Sequence, residues 1–126
     1  MRTFIIIALL SITALAQAQE PQCTELLQLE REYAKKLPLQ IDEATTLVEL
    51  SVNCTTKIVK YVKHLSVSGD MLAAGFRDRK QRQYLNLHCN KQGLAASGWT
   101  ARDYIYDKNM QLLMKMEATP GMCNER

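Results

Sequence analysis

The stretch that decides the fold is Thr45-Thr46-Leu47-Val48-Glu49-Leu50-Ser51-Val52, followed by Asn53-Cys54-Thr55-Thr56 and then by Lys57 to Val67. The first segment is rich in β-branched residues and puts Val48, Leu50 and Val52 on one side of a period-two alternation, so it reads as a strand. Asn53 to Thr56 supplies turn chemistry. The third segment reads as a longer strand, with Val59, Tyr61, Leu65 and Val67 on one face and Lys57 and Lys63 at exposed points. A strand pair with one apolar face has to bury that face against another layer.

The flanking segments supply the layer. Upstream, Leu26, Leu29, Tyr33 and Leu37 recur at helical spacing over residues 22–37, and Pro38 ends the stripe. Downstream, Ser68-Gly69-Asp70 breaks the strand pattern and offers an N-cap. Leu72, Phe76, Tyr84 and Leu87 then mark a second helix from Met71 to about Asn90. Past Gly93 and Gly98, Tyr104-Ile105-Tyr106 and Met110 to Glu117 flank Asp107-Lys108-Asn109 as a hairpin. The expected order is α-β-β-α-β-β: an α+β fold with an antiparallel four-stranded sheet and two helices packed on one face.

The chain begins with a single charge at Arg2, an apolar run from Phe4 to Leu15, and the small-x-small triplet Ala16-Gln17-Ala18. These are the three parts of a secretory signal. The run falls short of the roughly 20 residues that cross a bilayer. A signal peptide over residues 1–18 is therefore expected to be cleaved, leaving no stable membrane anchor. Residues 19–126 make one domain, located in the periplasm or secreted. The formal net charge of +3 is a mild excess that fits solubility and points to no nucleic acid.

Four cysteines, Cys23, Cys54, Cys89 and Cys123, lie at spacings of 31, 35 and 34 residues. None is close enough to another for a redox or zinc motif, and in an exported chain they read as two disulfides. A helix over 22–37 rises about 24 Å, and the first strand runs back about 26 Å. An antiparallel packing of the two brings Cys54 beside Cys23. The final hairpin cancels its own length and returns Cys123 to the end of the second helix, at Cys89. The expected pairs are Cys23–Cys54 and Cys89–Cys123, each worth about 3.5–4 kcal/mol in the chain-entropy model.

Catalytic chemistry finds little to stand on. Ala96-Ser97-Gly98 lacks the glycine that precedes the serine of a nucleophile elbow. His88-Cys89 are adjacent on a helix and point about 100° apart. Asp42, Asp70, Asp78, Asp103 and Asp107 fall at expected turns, caps or exposed helix positions. No cofactor, metal site or catalytic residue is expected, and the chain reads as no enzyme. A partner surface is sought instead at Trp99, Tyr104 and Tyr106, an aromatic group of the kind that forms hot spots, and at Arg77, Arg79 and Arg82 on the second helix, a patch for an acidic partner. A homodimer through a free strand edge is a further expectation.

The strand Tyr104-x-Tyr106-Asp107, its turn, the apolar strand after it and the terminal Cys123, preceded by a basic helix ending at Cys89, resemble small two-disulfide periplasmic or secreted proteins of Gram-negative bacteria. That group includes virulence-associated and toxin-immunity types. The resemblance implies an α+β fold and a non-enzymatic role, with no catalytic residues to carry over. The leading expectation is a periplasmic protein-binding module, an inhibitor or immunity protein that neutralises a periplasm-targeted effector toxin. The alternative is a secreted virulence-associated factor or a secretion-system assembly or chaperone protein. The partner in either case is another protein.

Overall fold

The 45–67 stretch forms the expected antiparallel pair in the computed structural model, which describes residues 21–124. The expected signal peptide, residues 1–18, lies outside the described residues. Helix α1 is Pro21–Ala34, followed by strands β1 (Leu39–Gln40), β2 (Thr45–Asn53) and β3 (Ile58–Leu65). A 3-10 turn at Gly69–Met71 precedes helix α2 (Phe76–Cys89), strands β4 (Thr100–Tyr106) and β5 (Leu112–Ala118), and a short helix α3 (Pro120–Cys123). The strands lie in the order β1-β2-β3-β4-β5, and β3 runs parallel to β4 while the other neighbours are antiparallel.

The expected sheet of four antiparallel strands is therefore corrected twice. The α2 segment carries the chain back from the end of β3 to the start of β4, a crossover that makes the two strands parallel. The fifth strand is Leu39–Gln40, which pairs with Leu47 and Thr46. The helices also begin and end differently. Gly75 adopts φ 78° just ahead of Phe76, a left-handed conformation that favours glycine, so α2 starts there and not at Met71. Gly93 packs so closely on the end of α2 that a Cβ would stand 2.2 Å from the His88 carbonyl oxygen. The unexpected α3 starts at Pro120 behind Thr119, whose hydroxyl accepts from the Met122 N–H.

Both long helices cover one face of the sheet, α1 over β2 and α2 over β5. The core divides in the same way. Leu50, Val59 and Trp99 are buried with Leu26 and Tyr33 of α1 around them. Tyr84 of α2 is buried with Ala101, Ile105, Met114, Met116 and Ala118. A bulge between Leu47 and Glu49 rephases β2, so Leu47 and Leu50, three apart, both turn inward. Each half carries one disulfide: Cys23–Cys54 joins α1 to the β2–β3 turn, and Cys89–Cys123 joins α2 to α3.

Candidate functional site

Between the helices the middle of the sheet is left as the floor of a groove. β3 and β4 are neighbours in register there, with Tyr61 beside Asp103 and Lys63 beside Ile105. The alternation that turns Ala101 and Ile105 into the core also turns Asp103 inward, where it is 1% exposed. It is the most enclosed charged group among the described residues, and the expectation of a turn or exposed position for Asp103 is wrong. Lys63, expected to be exposed, follows Tyr61 and Leu65 onto the same face and places Nζ 2.8 Å from Asp103 Oδ2. Burial pushes the Asp103 carboxyl above its ordinary range, and the Lys63 charge pulls back against that shift.

Around the pair stands a cavity of about 310 Å³, walled by Tyr61, Lys80, Gln83, Tyr84, His88 and Met116 among others. The Tyr84 and His88 rings meet edge to face with centroids 4.4 Å apart. Burial holds the His88 imidazole below its usual value, with Lys63 adding to the effect. Burial and the Asp103 charge push the Tyr61 phenol up to about 12, and Tyr84 moves in the same direction for the same reasons.

This cavity shares walls with three others. Tyr61 and Lys63 connect it to a space of about 410 Å³ under α1 that includes Leu29, Tyr33, Leu39 and Ile41. Tyr61, Leu87 and His88 connect it to a space toward Gly93 and Leu94. Lys63, Lys80 and Met116 connect it to a space beneath Phe76 and Leu65. The result is one groove running between α1 and α2. Leu29 (37% exposed), Ile41 (51%) and Leu87 (61%) stand open to solvent along its walls. Apolar side chains gathered and exposed in a concave surface mark a place where a partner is held.

Of the expected aromatic group, Trp99 is separated from the two tyrosines. Trp99 is 3% exposed and packs with Leu50 and Val59 in the core, because the Gly93–Gly98 connection folds under α1 and takes the indole with it. Tyr104 and Tyr106 share a side of β4, as the alternation requires, but it is the side away from the helices. There Lys115 lies over the Tyr104 ring and His64 meets Tyr106 edge to face. Arg77, Arg79 and Arg82 are all exposed on α2; Arg79 also donates to the Ala74 carbonyl, and Arg77 donates from Nε to the Leu113 carbonyl of β5.

Arg77 is half of an edge cover. One turn along α2, Gln81 donates to the Glu117 carbonyl and accepts from the Glu117 N–H, imitating a neighbouring strand. At the other side of the sheet, Glu30 of α1 accepts from the Val52 N–H of β2. Side chains thus occupy backbone groups along both flanks, which opposes dimerisation by strand addition. Among the described residues no helix is long and apolar enough to cross a membrane, and no three His, Cys, Asp or Glu side chains group as for a metal ion.

No family model and no curated protein sequence matches the chain. Solved structures do. The fold is shared with a protein of Pseudomonas aeruginosa provisionally assigned as secreted, at TM-score 0.62 and 17% identity over 79% of this chain and 90% of that one. It is shared with EpsS, the pilotin of the Vibrio vulnificus type 2 secretion system, at TM-score 0.59 and 13% identity over 79% and 89% of the two chains. It is shared also with AspS, the type II secretion system pilotin of Vibrio cholerae, at TM-score 0.56 and 16% identity over 86% and 99%.

Proposed function

We propose that this chain is an exported, non-enzymatic binding module of the pilotin type, which holds an apolar segment of a secretion-system component in the groove between α1 and α2. The observation that carries the reading is the groove itself. Leu29, Ile41 and Leu87 are large apolar side chains left exposed, and all three belong to its walls. Two covalently anchored helices hold those walls apart without a partner, so little ordering cost remains for binding. The fold shared with two pilotins supports a secretion-system component as the occupant, and favours this reading over a toxin-immunity role.

The test is affinity capture from periplasmic extract under non-reducing conditions, comparing the native chain with a Leu29→Glu/Leu87→Glu variant. Both leucines are exposed enough for the variant to fold. The reading expects one stoichiometric secretion-system partner that the variant fails to retain. A partner retained equally by both proteins, or a toxin whose activity falls in the complex, contradicts it.

A further inference from the structure

The groove is lined largely by apolar side chains, and one of its polar places is unusually well buried. Asp103 Oδ1 and the Tyr84 hydroxyl are both buried without a hydrogen-bond partner in the fold, although Asp103 Oδ2 is held by Lys63. Both residues wall the same 310 Å³ cavity. A buried polar atom left unmatched destabilises a fold, so two in one cavity point to a ligand that completes them.

The charges around the cavity narrow the ligand. Lys63 balances Asp103, and Lys80 stands in the same wall, so a guanidinium or ammonium group meets two ammonium groups. A carboxylate facing Oδ1 meets Asp103 itself. An ionised Asp103 can only accept a hydrogen bond, whereas a phenol has a proton to donate. The complementary group is neutral and carries one donor and one acceptor.

Resting on the groove reading above, we propose that this cavity is the specificity pocket of the groove and takes a primary carboxamide, the side-chain end of an Asn or Gln in the bound segment. Its NH2 donates to Asp103 Oδ1 and its carbonyl accepts from the Tyr84 hydroxyl. The apolar walls on either side fix the register of the segment, and this polar contact fixes which residue sits at the centre.

The test needs no partner. The disulfide-intact protein is titrated with propionamide, with butanone as the isosteric ketone and with propionate as the isosteric acid, while the backbone amide resonances are followed. Propionamide is expected to move the Tyr84, His88 and Asp103 resonances saturably, with roughly tenfold tighter binding than butanone. Tyr84→Phe removes only the unmatched hydroxyl and keeps the ring packing, so it should stay folded and weaken propionamide and butanone alike by roughly tenfold, because both carry the carbonyl it serves. Equal binding of amide and ketone, stronger binding of propionate, no saturable shift, or a propionamide affinity unchanged in Tyr84→Phe each overturn the pocket. Failure here leaves the capture result standing, and failure of the capture leaves this result standing.

Discussion

Lys63 and Asp103 are the residues whose replacement should be felt most sharply. Asp103 is almost fully enclosed, and its one ionic partner among the described residues is Lys63. Removing the cation leaves a buried carboxylate uncompensated, and Lys63→Met should cost about 3 kcal/mol at neutral pH, read from urea unfolding. The loss should shrink on acidification, because the unpaired carboxyl then titrates at a higher pH and protonation relieves it. Tyr84→Phe has the opposite sign. It deletes a buried, unmatched hydroxyl and should raise stability by about 1 kcal/mol, near 5 °C in melting temperature. Both residues escape a reading of the sequence. Asp103 lies between Arg102 and Tyr104, next to a hairpin, and looks like a surface acid. Its partner is 40 residues away and is brought to it by a parallel pairing that no local pattern announces. The usable signal was period-two alternation, since Asp103 falls in phase with Ala101 and Ile105, and Lys63 in phase with Tyr61 and Leu65.

At the scale of elements, the two flanks of the sheet are held by side chains of the helices that cover it. Gln81→Ala should leave both backbone groups of Glu117 without their partner and cost about 1–2 kcal/mol. Paired with Arg77→Ala, it should also add a concentration-dependent dimer in sedimentation, because it uncovers the β5 edge. A monomer at all concentrations would show that the edge is guarded by something else. The elements themselves were largely legible: the helical stripe of Leu26, Leu29 and Tyr33, the β2–β3 alternation and the Asp107 turn all carry strong local signals. Asp107 caps that turn by accepting from the Asn109 and Gln111 N–H groups. Sheet order was less legible. Two hairpins joined through a helix satisfy the same local patterns whether the central strands meet parallel or antiparallel, and β1 is too short to register. Trp99 was misread for a related reason: a loop position says nothing about whether another element closes over the loop.

On the scale of the whole molecule, the design is two half-cores, each tied by one disulfide, with a groove between them. Replacing Cys89 and Cys123 with serine should cost about 2–5 kcal/mol and loosen the α2 wall. The pH dependence of stability follows from the groove's own groups. Tyr61 and Tyr84 ionise less readily folded than unfolded, so stability should hold below pH 10 and fall as pH rises from there through about 12. Phenolate absorbance and circular dichroism should then show these two rings ionising together with unfolding. His88 is depressed in the fold, so its contribution is present above pH 6.5 and is lost as pH falls below it.

The central claim is that the face of the sheet between the helices, and not the opposite face, meets a secretion-system component. Site-specific photo-crosslinking in cells tests it most directly, with a benzophenone side chain placed at Leu87 in the groove wall and, separately, at Tyr104 on the outer face. The account predicts an adduct with one secretion-system protein from Leu87 and none from Tyr104. An adduct from Tyr104 with Leu87 silent would contradict it.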